Sequence, residues 1–509
     1  MLRQAVSGQA HKCLALRSML CLVIATSAAL LSGCGSGDAA PPALASPTST
    51  QTFALAVSTS GNGSVTSSSG GIQCGSTCDG RFSSGSQVSL QATPASGYFF
   101  TGWSGACSGF AASCTVTMGQ AQSVSASFST QPGGVAVVSG QLVVAGTNTP
   151  FIPEGFNTVG VLYPEAYAST LCPLATPLSA QVVQWLEQAQ AALTAPPLPG
   201  RAYNASFQAM IQDWHANTVR IHVSQGALQY EYANGLSSYT DMARGVIAQA
   251  RAAGLIVIVD MQAEKYGCTP DENGIMQKLP DLNTEQAWKQ ILDPALTTDP
   301  GIILGVFNEP NASVACQLGS YTQPDWAAWE TGCNAQPDQG MLTVGQYLRS
   351  LAPNNVLFFN GQGVDFGFDG FTVPSGMPSN SAYAIHPFSY VANSSESSSI
   401  SGWDTEFGNF EQSGHAVVAT AWSEDSECPN DPNQTITDEF LQTYLPQHSI
   451  GMIAYAWDGP YFGGGYLVNS YDYTGNTANY QLVDPDPSGC PQNGARELQQ
   501  LFFSQAAAH

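Results

Sequence analysis

Two stretches of the sequence carry acidic side chains just after an apolar run, and such acids are candidates for catalysis. GIILGVFNEPN ends its apolar run with Asn308 and Glu309, and GHAVVATAWSEDSE reaches Glu424 after a similar run. A buried strand has no structural need for a carboxylate, and an unpaired buried charge is costly. A carboxyl group at a strand end can transfer a proton or attack an electrophile. Glu309 and Glu424 are therefore the first candidates for an active site.

Polar or aromatic side chains also occur near the ends of the other apolar runs. In a barrel of parallel strands the C-terminal ends of the strands converge on one face, so residues far apart in sequence become neighbours. Such residues recur at the same position of each strand-helix repeat, namely just after the strand, and this recurrence predicts a single site. Besides Asn308, Glu309 and Glu424, these residues are Asn157, Arg220, Asp260, His386 and Trp457.

From about residue 137, short apolar runs alternate with segments of helical spacing. Strand and helix alternation predicts a parallel sheet with right-handed crossovers, and eight repeats in roughly 370 residues fit a (β/α)8 TIM barrel. A doubly wound open sheet is the alternative, but GFNTVGV lacks the Gly-rich phosphate turn of that fold. The predicted strands lie in EGFNT, NTVRIHVS, LIVIVDMQ, GIILGVFNEP, NNVLFFNGQG, SAYAIHPFSY, HAVVATAWSE and SIGMIAYAWDG.

The N-terminus has the features of an export signal: basic residues, the apolar run MLCLVIATSAALL and then small residues. LLSGC resembles a bacterial lipobox, which implies that Cys34 is lipidated. Gly35 follows it rather than Asp, which favours the outer membrane or the cell surface. Residues 1–33 are therefore predicted to be a lipoprotein signal peptide. Residues 34–51, which are small and contain Pro, are predicted to be a flexible tether.

Residues 52–129 alternate polar and apolar side chains in short runs divided by Gly and Ser turns, which predicts a small all-β domain. GSQVSLQATPASGYFFTGWSGACSG, with SCTVTM and SVSASF, resembles bacterial repeat modules of the internalin B-repeat type. Such a module would be a spacer or a weak adhesion module. Trp103 is expected in its core, with a sugar-stacking platform as the alternative. A linker at 130–136 precedes the barrel domain at 137–509.

The net charge of the chain limits the classes of molecule that it can bind. The chain has 13 Lys and Arg against 37 Asp and Glu, a formal net charge of −24. Phosphate binding needs clustered cations, so nucleic acid and anionic lipid are disfavoured as partners, whereas neutral glycans are not repelled. The chain is expected to act as a monomer and without a cofactor.

The cysteines beyond Cys34 are even in number in each domain, which predicts disulfides formed outside the cytoplasm. No metal site is expected, because CGSTC has no neighbouring His and CSGFAASC is spaced too widely for a zinc knuckle. The ten cysteines are Cys74, Cys78, Cys107 and Cys114 in the module, then Cys172, Cys268, Cys316, Cys333, Cys428 and Cys490.

Asn308, Glu309 and Pro310 after GVF resemble the Asn-Glu-Pro signature of glycoside hydrolase family 5, the cellulase-like group of retaining (β/α)8 glycosidases. The resemblance covers most of 137–509, strand by strand. It implies that Glu309 is the acid/base, that Asn308 bonds the sugar 2-hydroxyl and that Arg220 pairs with the nucleophile. Retaining hydrolysis needs two carboxyl groups about 5–5.5 Å apart, one to protonate the leaving oxygen and one to attack.

The resemblance also implies substrate contacts at other strand ends. His386 in AIHPF matches the family's histidine on the sixth strand, and Trp457 in IAYAWDG matches its tryptophan beneath a sugar subsite. Trp422 and Tyr390 are further candidates for sugar stacking. Gln262 stands where the family often has His, which concerns substrate contacts rather than the chemical step.

The seventh strand departs from the family pattern. Where the family usually has Val-Thr-Glu followed by Phe or Trp and Gly, VATAWS places Ala421 at the nucleophile position. In one interpretation Glu424, three residues later, supplies the carboxylate. In a second, Glu406 in DTEFG does, although its segment has the features of the helix before that strand. In a third, the site has lost its nucleophile.

The sequence therefore predicts a retaining glycoside hydrolase on a surface lipoprotein, acting on β-linked polysaccharide such as β-glucan, cellulose or mannan. The alternative is a non-catalytic glycan-binding or adhesion lipoprotein. Activity on a panel of such glycans distinguishes the two.

Overall fold

The computed structural model describes most of the predicted module and barrel. Its described residues are 51–69, 71–74, 77–158, 161, 202–262, 279–316, 324–333, 339–362, 367–387, 399–422, 434–458 and 495–506. Cys34, Tyr390 and Glu424 lie outside these residues. None of the described helices is both long and apolar enough to cross a membrane.

The N-terminal module consists of two four-stranded sheets, with orders β4-β1-β8-β6 and β3-β2-β5-β7, around one hydrophobic core. Successive side chains of a strand point to opposite faces of the sheet, so every second residue faces the core. Val88, Leu90 and Ala92 on one strand are accordingly all buried. Its strands are β1 Thr52–Ser60, β2 Gly63–Ser67, β3 Gln73–Cys74, β4 Thr77–Ser83, β5 Gln87–Pro94, β6 Phe99–Gly105, β7 Ser113–Thr117 and β8 Gln122–Ser129.

Trp103 belongs to the core of the module. Its side chain is 6% exposed, and its indole Nε1 donates to the carbonyl oxygen of Ala111 at 2.8 Å. The core interpretation therefore describes this tryptophan better than a sugar platform, which would require an exposed ring face. A disulfide joins Cys107 to Cys114, and Cys78 is also disulfide-bonded.

A hairpin of β9 (Val135–Val138) and β10 (Gln141–Val144) connects the module to the barrel. Val135 N–H donates to the carbonyl oxygen of Pro300 at 2.9 Å. Side chains of the hairpin share a core cluster with Ile256 and Val356, which stand at the N-terminal ends of two barrel strands. The hairpin thus covers the N-terminal end of the barrel, opposite the strand ends on which the candidate site residues lie.

Eight parallel strands close into a barrel in chain order, as the sequence predicts. All eight arise from the apolar runs named above, and most of their side chains are buried on both faces, as in parallel sheets covered by helices. The strands are β11 Glu154–Thr158, β12 Thr218–Ser224, β13 Ile256–Gln262, β14 Ile302–Gly305, β15 Val356–Asn360, β16 Ser381–Ile385, β17 Val417–Ala419 and β18 Gly451–Asp458.

The helices between the strands bury one face against the barrel. The helix that begins at Ser238 shows why such segments are helical: Val246, Ile247 and Ala250 form one buried stripe, and Gly254 ends the helix with φ 103°. The helices are α1 Ala202–Trp214, α2 Gln225–Asn234, α3 Ser238–Ala253, α4 Leu282–Ile291, α5 Pro294–Thr298, α6 Ala312–Ala315, α7 Trp326–Thr331, α8 Gly340–Leu351, α9 Ile400–Trp403, α10 Asn409–Gln412, α11 Gln434–Glu439, α12 Leu445–His448 and α13 Ala495–Ala506, with π-helical turns at Asp404–Gly408 and Phe440–Tyr444.

Candidate active site

Arg220 stands at the centre of the C-terminal face of the barrel. Its Nη2 donates to Asp260 Oδ2 at 2.8 Å and to Asn308 Oδ1 at 2.6 Å. Its Nη1 donates to Asn157 Oδ1 and to the carbonyl oxygen of Thr420, each at 3.1 Å. Side chains predicted from four separate runs therefore meet around one guanidinium, which is 1% exposed. A buried cation with this many acceptors holds five strand ends in fixed positions.

Asp260 is the carboxylate that accompanies Arg220 in the barrel. Burial raises the pKa of Asp260 to about 6, although Arg220 lowers it, and the nearby Glu309 raises it further. Space for this carboxyl group depends on Gly305 of the neighbouring strand, because a Cβ at that position would collide with Asp260 Oδ1. The glycine is therefore part of the architecture of the site.

Replacing Gly305 by Ala is expected to push Asp260 away from Arg220 and to lower the free energy of unfolding by about 1–3 kcal/mol, the usual cost of overpacking. Chemical denaturation of the variant and the wild type measures this change. Gly245→Ala is the matched control, since a Cβ there meets nothing within 4 Å. Equal midpoints for Gly305→Ala and the wild type would contradict the steric argument.

Glu309 follows β14, and one of its carboxyl oxygens contacts a buried histidine. Its Oε1 lies 3.0 Å from His386 Nδ1, and its side chain is 41% exposed while that of His386 is 1% exposed. Glu309 has φ +50°, a left-handed conformation that is uncommon outside glycine and frequent at functional sites. The carboxyl group is thus oriented by the protein and open to a ligand.

The environment of His386 favours its neutral form. Burial is the main cause that lowers the pKa of His386, and the charge of Arg220 lowers it further, against the opposing contact with Glu309. His222 on β12 is a second buried imidazole in the same layer, with Nε2 2.9 Å from Asn157 Oδ1, and burial likewise lowers the pKa of His222. Within the described residues, no three His, Cys, Asp or Glu side chains are arranged to hold a metal ion.

Trp422 and Trp457 do not present ring faces to the site. Each is 1% exposed, and both belong to the core cluster between the barrel strands and the helices. The ring of Trp457 lies 4.8 Å from that of Phe156 and 5.9 Å from that of Trp214. A sugar can stack only on an accessible ring, so this arrangement gives no support for stacking on these two tryptophans, and that role stays a prediction.

The segment that departs from the family motif on the seventh strand belongs to the described residues up to Trp422. Thr420 N–H donates to the carbonyl oxygen of Ile385 at 2.9 Å, and Ala421 is 3% exposed. Glu406 lies in the π-helical turn before β17, and its carbonyl oxygen accepts from Phe368 N–H at 2.6 Å. Glu406 therefore belongs to a helix, as its preceding sequence indicates, and not to a strand end.

Three polar residues of the site were missed by the sequence analysis: His222, described above, and Asn360 and Thr420. Asn360 Nδ2 and Thr420 Oγ1 each lie 3.1 Å from His386 Nε2. Asn360 ends β15, the one barrel strand for which the sequence analysis named no site residue, and it occupies the same phase as the others. That phase was the signal that could have found it.

Comparison with known proteins gives a family for each of the two domains. Residues 187–460 match the model of the cellulase family, glycosyl hydrolase family 5, and residues 53–132 match a divergent InlB B-repeat domain. No curated protein matches the chain. The internalin-type module and the TIM barrel predicted from the sequence are both confirmed.

Solved structures similar to this chain include a β-glucanase from Saccharophagus degradans, with 14% identity and a TM-score of 0.49 over 74% of this chain and 94% of that one. Others are the catalytic domain of an endoglucanase from Thermobifida fusca (15%, TM-score 0.45, 73% and 97%) and a β-mannanase from Streptomyces thermolilacinus (17%, TM-score 0.42, 68% and 92%). Since the family match spans more than half of the sequence and extends through the eighth strand of a closed barrel, the chain belongs to glycosyl hydrolase family 5.

Proposed function

We propose that the protein is a retaining glycoside hydrolase that cleaves β-linked polysaccharide, a β-glucan or a mannan. The observation that carries this proposal is the placement of Glu309: its Oε1 contacts buried His386, and its side chain is 41% exposed at the face where the strand ends converge. A carboxyl group in this position can protonate the leaving oxygen of a bound glycan.

Arg220 and Asn308 support the same chemistry. Asn308 Oδ1 accepts from Arg220, so its Nδ2 group is the donor that can reach a sugar hydroxyl. Arg220 Nε is buried and has no hydrogen-bond partner among the described residues. This donor suits a second carboxylate, which we assign to Glu424, and the cation would keep that nucleophile ionised.

A second candidate function is glycan binding without cleavage. The observation in its favour is Ala421, which occupies the position after Thr420 where the family carries its nucleophile. A site with Glu309 but no second carboxylate would still hold sugar through Asn308 and the groups around Arg220. In that case the module and the barrel would together serve adhesion.

Purified protein incubated with soluble β-glucan, a cellulose derivative and β-mannan tests the proposal. We expect new reducing ends from at least one of these glycans, and the first product seen by proton NMR should have the β-anomeric configuration of the substrate bond. Glycan binding with no reducing ends from any of the three would favour the second candidate. A first product of the α-configuration would contradict a retaining mechanism.

We also propose that the protein is a surface-exposed lipoprotein anchored through Cys34. The support is the order of segments at the N-terminus: basic residues come first, an apolar run follows, and small residues in LLSGC end it. A Cys34→Ala variant expressed in a Gram-negative host is expected to appear in the soluble periplasmic or medium fraction, whereas the wild type sediments with membranes. A variant that stays with the membranes would exclude the lipid anchor.

A further inference from the structure

His386 is bonded on both ring nitrogens, and the two sides differ in chemistry. Nδ1 lies 3.0 Å from Glu309 Oε1. Nε2 lies 3.1 Å from Asn360 Nδ2 and 3.1 Å from Thr420 Oγ1. Strands β15, β16 and β17 thus place an amide, an imidazole and a hydroxyl in one buried layer beneath the exposed carboxyl group of Glu309.

The amide of Asn360 determines which nitrogen of His386 carries the proton. An amide nitrogen can donate a hydrogen bond but cannot accept one, so Nε2 must be the acceptor in this contact. A neutral imidazole then carries its single proton on Nδ1, and this N–H donates to Glu309 Oε1. The Thr420 hydroxyl can donate or accept and does not by itself select a tautomer.

The environment favours a neutral ring, and this selection of a tautomer applies to the neutral ring. Burial and the charge of Arg220 from β12 lower the pKa of His386, while Glu309 from β14 raises it. His222 is a further titratable group in the same layer, and its own pKa is lowered by burial first and then by Arg220 and His386. Arg220 and Glu309 are thus two charges that act on the imidazole of His386 in opposite directions.

Asn360 is buried at the end of β15. It is 0% exposed, and its main-chain carbonyl oxygen accepts from the indole Nε1 of Trp329 at 2.9 Å, which fixes the backbone at this position. The contact that the structure gives its side-chain amide is the one from Nδ2 to His386 Nε2, since Oδ1 has no hydrogen-bond partner among the described residues.

We propose that Asn360 is a positioning residue that fixes His386 as the Nδ1–H tautomer and thereby fixes which oxygen of Glu309 meets the substrate. Oε1 accepts from His386, and the transferable proton resides on Oε2. The contact also favours the ionised carboxylate, so it sets the pH above which Glu309 can no longer act as an acid. This role rests on the proposed glycosidase function, whereas the tautomer itself does not.

Nitrogen-15 NMR of histidine-labelled full-length protein tests the tautomer without any activity. The His386 signals, assigned by their loss in His386→Gln, are expected to show a protonated Nδ1 and an unprotonated Nε2 in the wild type. In Asn360→Asp the new carboxylate accepts a hydrogen bond, so Nε2 should become protonated at neutral pH. A protonated Nε2 with an unprotonated Nδ1 in the wild type would overturn the proposal.

The pH dependence of kcat/KM tests the consequence for Glu309. In Asn360→Leu the constraint on Nε2 is gone, so His386 can present an Nδ1 lone pair to protonated Glu309. The basic limb of the profile should then move to higher pH by roughly one unit, the difference that one hydrogen bond to an ionised group makes. An unmoved basic limb would show that Asn360 does not act through His386.

Asn355→Leu is the matched control for stability. Asn355 precedes β15 at its opposite end, is 1% exposed and donates to the carbonyl oxygens of Leu296, Asp299 and Ile302. Its replacement should lower the unfolding midpoint while leaving the His386 tautomer and the basic limb where they are in the wild type. A wild-type protein with the expected tautomer but no hydrolysis would refute the proposed function and leave the tautomer assignment intact.

Discussion

Replacing Glu309 by Gln is expected to lower kcat/KM for polysaccharide hydrolysis by about 10²–10⁴-fold, the usual contribution of a positioned general acid. The amide has the size of the carboxyl group and can still accept from His386 Nδ1, so the fold and the affinity for glycan should remain. Reducing-end assays measure the loss, and calorimetric titration with an oligosaccharide measures the retained binding.

The choice of leaving group separates lost acid catalysis from a general defect. An aryl glycoside whose phenol leaves readily does not need protonation, so Glu309→Gln should lose much less activity on its bond cleavage than on that of the polysaccharide. Glu439→Gln, at an exposed site in α11, is the control and should behave as the wild type. Equal losses on both substrates would argue that Glu309 does not protonate the leaving oxygen.

The barrel was predictable from sequence because its signals are local. Each strand is a short apolar run that is mostly buried on both faces. The helix α3 has a buried apolar stripe of its own, and Gly254 ends it. The order of strands then follows from the preference for right-handed crossovers. The meeting of Arg220, Asp260 and Asn308 needed no further information, since parallel strand ends share one face.

The direction of individual side chains was less predictable. Trp422 and Trp457 stand near strand ends, but whether a residue there faces the mouth or the helices depends on strand twist and on partners such as Trp214, which is distant in sequence. Asn360 was missed for a related reason: an asparagine after VLFF also suits a turn, and only the position of His386 on the next strand shows its role.

Replacing Glu424 by Ala is expected to lower hydrolysis roughly 10⁴-fold or more, as removal of a nucleophile does in enzymes that work through a covalent intermediate. The motive is the unpartnered Nε of buried Arg220 within the described part of the chain, together with Ala421 where a carboxylate is expected. Glu406→Gln is the internal control, because Glu406 lies in a helix and should not be needed.

Added azide makes this experiment decisive. In Glu424→Ala the anion can attack the anomeric carbon of an activated aryl β-glycoside, the C–O bond breaks and the phenol departs, which restores turnover and yields an α-glycosyl azide. Azide should not yield this product with the wild type.

If Glu424→Ala retains full activity, Asp425 and Glu427 are the next acids to replace in the same way. If none of the three replacements alters hydrolysis by an active wild type, then Arg220 serves the fold rather than a nucleophile.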